Sequence, residues 1–398
     1  MFEQSEELVL DMLIKNGNII LKDRIFKGDV RIENGKIAEI SDDIAIKSDL
    51  VIDATDKYVS PGFVDIHTHG GYEADFMDST ADSYNRALRF HIDNGTTTVV
   101  PTSCTSPKES IISFINFARE YINSDESYKN TVAGVHLEGP YLSVKNRGAQ
   151  KLEELAIPEQ DDYSYITENA DVIKTVTISP ELPGAEKMTN ELSGRGILVS
   201  GGHDDGIYPE FLPTIDAGMR HLTHHFCAMS DLRFKDGRRN VGLREYGLID
   251  DRLTSEIIAD NRHITPELAL LIVRAKGSDK VCVVSDSLRC AGQPNDGRLY
   301  KLGTGENADL VKIGDGIAVT VKEGIYAGSI TPVRKMVKNL IDAGINIIDA
   351  VKMGTITPAK IIGEDATVGS IEVGKRANIC LLDGDFNLSG VFIDGKAI

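Results

Sequence analysis

Seven short β-rich apolar runs recur along the middle of this chain, at 97–100, 131–137, 174–178, 196–200, 219–223, 254–259 and 280–284. An eighth precedes them. Val59, Phe63 and Val64 read as a strand with Pro61-Gly62 as a bend at its start, leading into His67-Thr68-His69. Helical segments such as 83–94 and 266–276 separate many of these runs. Near-continuous apolar strands that alternate with helices belong in a parallel sheet covered by helices. Eight such units within roughly 230 residues fit a closed (β/α)8 TIM-like barrel better than an open doubly wound sheet. No Gly-x-Gly-x-x-Gly follows an early strand, which argues against a dinucleotide-binding layout.

The two ends of the chain read differently. β-rich runs at 8–14, 18–21, 29–33, 36–40 and 50–53 are broken by the turn signals Asn16-Gly17 and Asn34-Gly35. Runs at 369–371, 377–383 and 391–395 repeat that pattern near the C-terminus. Neither end has enough strands for an independent sheet, so the two are expected to pair as a small composite β-sandwich. The expected division is 1–60 as the first part of this β domain, 61–366 as the barrel and 367–398 as the second part.

The formal net charge of −18 argues against non-specific nucleic-acid binding, which needs a basic footprint. A phosphorylated small molecule needs only a local cationic cluster and stays compatible. Five scattered cysteines, without close ligand spacing, suit free thiols in a reducing, cytoplasmic setting. The acidic start has no signal-peptide character, and no apolar run reaches about 18 residues, so no membrane partner is expected.

Chemistry in such barrels lies at the C-terminal ends of the strands. Those ends carry His67 and His69, then Pro101-Thr102-Ser103, Glu138, Glu181, His203, His224-His225, Asp260 to His263, and Asp286. His67 and His69 face one side of an extended segment, where side chains alternate, and two adjacent imidazoles suit a divalent metal. Glu138, His203 and His224 are further candidate ligands. Adjacent side chains diverge, so only one of His224 and His225 faces the centre, and His224 is favoured. A carboxylate such as Asp286, closing an apolar run, needs a partner to offset its burial. His263 is a candidate functional loop residue. His91 and His136 read as structural, and Glu181 as a helix-start residue.

Together these residues resemble the amidohydrolase superfamily and, within it, the N-acetylglucosamine-6-phosphate deacetylase family. The resemblance rests on Pro61-Gly62-Phe63-Val64-Asp65-Ile66-His67-Thr68-His69, His136-Leu137-Glu138-Gly139-Pro140-Tyr141, Gly202-His203, Thr223-His224, Ala259-Asp260 with His263, Ser285-Asp286 and Ala327-Gly328-Ser329. It implies one or two divalent metals per subunit, zinc or iron. Glu138, His203 and His224 would hold the principal ion, and His67 and His69 would offer a second site. Asp286 would be the general acid and base. Substrate contacts would fall at Ala149, Gln150, Cys227, Ala228, Arg238 or Arg239, His263, Ala327 and Gly328. The implied product is glucosamine 6-phosphate plus acetate, and the implied assembly is a homodimer.

Three departures touch the sugar. Gln150 stands where the family has a His, Cys227 where it has an Asn, and Asn261 where it has a Gly. A site that lacks such hydrogen-bond partners should discriminate differently among isomers. N-acetylgalactosamine 6-phosphate or another N-acyl compound is therefore the main alternative substrate. A cyclic-amide or deaminase-type hydrolase fits less well, because no lysine ends the third or fourth strand. A non-catalytic scaffold would be expected to lose metal ligands, and all candidates are kept.

Overall fold

The computed structural model describes residues 11–46, 48–305 and 308–398. The acidic start and residues 8–10 of the first β run lie outside the described residues.

Eight parallel strands form the barrel: Phe63–Thr68, Thr96–Ser103, Val135–Glu138, Ile173–Ile178, Leu198–Gly201, His221–Leu222, Thr254–Ile257 and Val281–Val283. Each pairs with its chain neighbour in order, as right-handed crossovers through helices dictate. The last and first strands close the barrel through Asp65. Its Oδ1 accepts the Ser285 amide at 3.1 Å, and direct backbone bonds run from the Asp286 amide to the His67 carbonyl at 2.9 Å and from the His69 amide to the Ser287 carbonyl at 2.9 Å. Apolar clusters around Val99, Leu137 and Val176, and around Val64, Ile257 and Val283, surround the strands.

Local chemistry sets the helix ends. Pro266–Lys276 begins at Thr265, whose hydroxyl accepts the Leu268 amide, has Pro at its start and closes at Gly277. Ala81–Asp93 is capped by Thr80 and Ser83, so it begins two residues before the expected 83.

The composite domain is one hydrogen-bonded sheet of eight strands. Its C-terminal strands Ile379–Leu382, Leu388–Ile393 and Lys396–Ala397 join the N-terminal ones where Ile379–Leu382 pairs with Tyr58–Pro61. The expected sandwich thus takes the form of a continuous sheet. The strand Met12–Ile20 pairs with Leu50–Asp53 along its first half and with Tyr58–Pro61 near its end.

Three expectations need correction. Asn16-Gly17 is not a chain reversal: Met12–Ile20 runs through it with a register shift, a bulge that uses the positive φ of Asn16 (63°). Residues 369–371 form no strand. Val59 lies in the composite sheet, not in the first barrel strand. Gly62 is the junction between the two sheets. A Cβ there would sit 2.2 Å from Thr97 Oγ1, so only glycine allows the approach. No helix among the described residues is long and apolar enough to cross a membrane.

Candidate metal centre

Glu138 ends the third strand, and its two oxygens face different histidines. Oε1 lies 3.1 Å from His203 Nε2 and 3.0 Å from His224 Nε2. Oε2 lies 3.5 Å from His69 Nε2, and His67 Nε2 is 3.6 Å from Oε1. Asp286 Oδ1 is 3.2 Å from His69 Nε2 and 3.7 Å from His67 Nε2. All six side chains are buried. Three of them sit on left-handed backbone just past their strands: His203 (φ 52°), His224 (φ 30°) and Asp286 (φ 45°). Such conformations cost non-glycine residues about 1–3 kcal/mol each and gather at functional sites.

Protein acceptors set the orientation of three rings. His67 Nδ1–H donates to Glu256 Oε2 at 2.9 Å, His69 Nδ1–H to the Thr102 carbonyl at 3.1 Å, and His203 Nδ1–H to the Asn146 carbonyl at 2.8 Å. Each Nε2 is then left as a lone-pair donor turned inward.

This donor set fits a divalent cation. His203 Nε2 and His224 Nε2 are 3.1 Å apart, and both touch Glu138 Oε1. Lone pairs that converge so closely repel unless a proton or a cation lies among them. His67 Nε2 is buried without a hydrogen-bond partner. The ligand atoms of Glu138, His203 and His224 lie within 4.8 Å of one another, as do those of His67, His69 and Glu138. Nitrogen and carboxylate ligands in this number suit zinc or ferrous iron.

The electrostatics agree. Burial pulls the His67 imidazole down, but Glu256 and Glu138 outweigh it and push its pKa up to about 10. Burial likewise opposes protonation of His69 and His224. Asp286 and Glu138 nevertheless raise His69, and Glu138 raises His224. Burial pushes the Glu138 carboxyl up, yet His67, His203 and His224 hold it well below the usual carboxylate range. A cluster that gathers protons this strongly is one that a cation can occupy in their place.

A cavity of about 570 Å³ opens above the cluster, within the usual range for a small-molecule site. Ala149, Gln150, Cys227, Ala228, His263, Ala327 and Gly328 all line it. His263 is held through Nδ1 by Asp260 Oδ2 at 2.9 Å. The antiparallel strands Leu299–Lys301, Leu310–Gly314, Ile317–Thr320 and Tyr326–Gly328 follow the eighth barrel strand, and Tyr326 and Ile325 reach the cavity wall.

Gln150 lines the cavity with both ends of its amide hydrogen-bonded inside the protein. Its Oε1 accepts the Thr105 amide at 2.7 Å, and its Nε2 donates to Glu138 Oε2 at 2.5 Å. Within a single chain Arg238 and Arg239 are not among the residues that line the cavity. They lie exposed on a hairpin of Arg233–Lys235 and Arg238–Asn240, away from the cavity lining. The charge of that segment is legible in sequence, but the direction in which the hairpin projects is not. The cations that line the cavity are Lys145, Arg147 and Lys151. Arg147 pairs at 3.1 Å with Glu323, which also lines the cavity.

Outside the cluster, His91 Nε2 bonds Thr68 Oγ1 at 2.9 Å, His136 Nε2 bonds Thr177 Oγ1 at 2.7 Å, and His225 Nε2 reaches the Arg244 carbonyl at 2.8 Å. Burial drives the pKa of His91 and His136 down to about 3. Glu181 accepts the Asp205 amide at 2.7 Å. The sequence reading missed Glu256 and Arg147. A lone carboxylate inside the apolar run 254–259 was the available signal for Glu256.

Residues 58–398 match the sequence model of the Amidohydrolase family. The chain is 30% identical over 349 residues to N-acetylglucosamine-6-phosphate deacetylase of Haemophilus influenzae, covering 87% of each chain. It is 28% identical to N-acetylgalactosamine-6-phosphate deacetylase of Escherichia coli O157:H7, over 92% of this chain and 93% of that one. Its structure resembles the crystal structure of N-acetylglucosamine-6-phosphate deacetylase from Pasteurella multocida with a TM-score of 0.88 at 30% identity, covering 98% and 99% of the two chains.

Proposed function

Because the chain belongs to the amidohydrolase family, we propose that it removes the acetyl group of an amino-sugar phosphate, N-acetylglucosamine 6-phosphate first, to give glucosamine 6-phosphate and acetate. One observation carries this reading: Glu138 joins both pairs of histidines at the floor of the cavity, with Asp286 3.2 Å from His69. Glu138, His203 and His224 are assigned to the principal divalent ion, zinc or iron, and His67 and His69 to a second. When bound, such an ion brings the pKa of water near neutrality and polarises a carbonyl.

The chain's own residues do the rest. Asp286 takes the proton of the attacking water as its oxygen bonds the acetyl carbon. The same carboxylate then hands that proton to the nitrogen as the C–N bond breaks, because an unprotonated amine leaves poorly. His263, oriented by Asp260, hydrogen-bonds the amide or a sugar hydroxyl. Ala149, Gln150, Cys227, Ala228, Ala327 and Gly328 bound the sugar. The phosphate is assigned to Arg147, a planar guanidinium that exchanges Glu323 for the anion. Residues 61–366 make the catalytic barrel, and 1–60 with 367–398 support it as one β unit. The reading includes a cytoplasmic setting, supported by five free cysteines, and a homodimer, for which exposed Phe234 and Ile249 offer apolar surface.

A second reading, N-acetylgalactosamine 6-phosphate, is favoured by the loss of the family's hydrogen-bonding residues at Gln150 and Cys227. The test is acetate release from both epimers, phosphorylated and not, after loading with zinc or ferrous iron. Release from a phosphorylated epimer is expected. A metal-loaded protein that releases acetate from none of them sinks the proposal.

A further inference from the structure

Beneath the metal centre lies a third carboxylate, Glu256 on the seventh barrel strand, with no solvent exposure. Its Oε2 accepts His67 Nδ1–H at 2.9 Å and the backbone amide of His224 at 3.0 Å. Its Oε1 accepts His221 Nε2–H at 3.1 Å. One oxygen therefore touches a histidine from each candidate metal site. The other is braced by His221, whose Nδ1 meets Thr254 Oγ1 at 2.6 Å.

We propose that Glu256 is the positioning residue that couples the two metal sites, orienting His67 for one and the His224 backbone for the other. Three consequences follow from the hydrogen bonds. The Nδ1–H of His67 is held by Glu256, so Nε2 is the ring nitrogen left for a metal. The negative partner makes that imidazole a stronger donor. The left-handed turn at His224 (φ 30°) is held by its amide, which keeps that Nε2 beside Glu138. A packing role alone would need none of these, and an apolar side chain of similar volume would serve it better, since burying a carboxylate is costly.

The inference rests on the metal-centre reading but not on any substrate. The experiment measures zinc affinity by competition with a chromophoric chelator, together with the absorption bands of the cobalt(II)-loaded protein. The variants are Glu256→Gln and Glu256→Leu. Glu256→Gln can keep the bonds to His67 and His224 while losing the charge, and zinc affinity should fall about 10-fold. Glu256→Leu loses both, and affinity should fall about 100-fold with altered cobalt bands. Thermal unfolding of the metal-free proteins reports any purely structural effect. Wild-type zinc affinity and cobalt bands in a folded Glu256→Leu would overturn the proposal. Should that variant fail to fold, wild-type affinity in Glu256→Gln overturns it equally. Weakened metal binding supports it whether or not acetate is released, so failure of the deacetylase reading stays distinguishable.

Discussion

The two ends of this barrel both carry clustered charge, buried at one end and partly exposed at the other, and only the buried set is arranged for chemistry. At the N-terminal end, a pocket of about 230 Å³ is lined by Asp171, Lys174, Glu364 and Arg376. Every one of those charges has a partner: Lys174 with Glu364 at 2.8 Å, Arg119 with Asp171 at 2.8 Å, and Arg376 with Asp394. At the C-terminal end, carboxylates meet imidazole lone pairs, and His67 Nε2 has no partner. The number of charges does not separate the two ends. The difference is that one set is satisfied within the protein and the other needs an ion. Unsatisfied buried polar atoms are costly, so they persist where a ligand completes them.

That contrast can be broken by substitution. The largest effect is expected for Glu138→Gln, which removes the charge that both histidine pairs share. Bound metal, read by elemental analysis, and acetate release should both fall to background. Retention of stoichiometric zinc would remove Glu138 from its assigned role. Asp286→Asn should keep the metal and lower kcat by roughly 10²–10⁴-fold, the usual span for a positioned acid and base. A wild-type rate would move proton transfer to another group.

Arg147→Ala tests the guanidinium in the cavity lining. KM for a phosphorylated substrate should rise about 10-fold, the equivalent of losing a charge-assisted hydrogen bond, while KM for the unphosphorylated sugar changes little. Equal changes for both would point to a loss of cavity shape instead. The smallest effect belongs to the other end of the barrel. Lys174→Met breaks an ion pair about a third exposed and should change stability by under about 1 kcal/mol, with turnover unchanged. A large fall in kcat there would mean that the two ends are coupled, and the comparison would fail.

Much of this was legible along the chain. The helix 266–276 could be bounded by Thr265, Pro266 and Gly277, because capping depends on adjacent residues. The polar residues at the strand ends could be aligned on one rim, because a parallel barrel puts all its C-terminal ends together. Local signals stopped short where one signal has two outcomes. Asn16-Gly17 permits positive φ, which a hairpin and a bulge use equally well. Arg238 and Arg239 declared a cationic segment, but not that it forms a hairpin off the cavity lining of its own chain. Gln150 marked a departure near the sugar, while its amide is taken at one end by Thr105 and at the other by Glu138.

By itself the sequence determined the periodicity of the barrel, the pairing need of its β-rich ends, and which acids and imidazoles close the strands. These are short-range properties, written in neighbouring residues. Only the tertiary structure decided which nitrogen of each imidazole faces inward, which guanidinium reaches the cavity, and that Glu256 sits beneath His67 although 189 residues separate them. Hydrogen-bond partners so far apart in the chain depend on strand order, register and closure, and no local pattern encodes where those bring two side chains together.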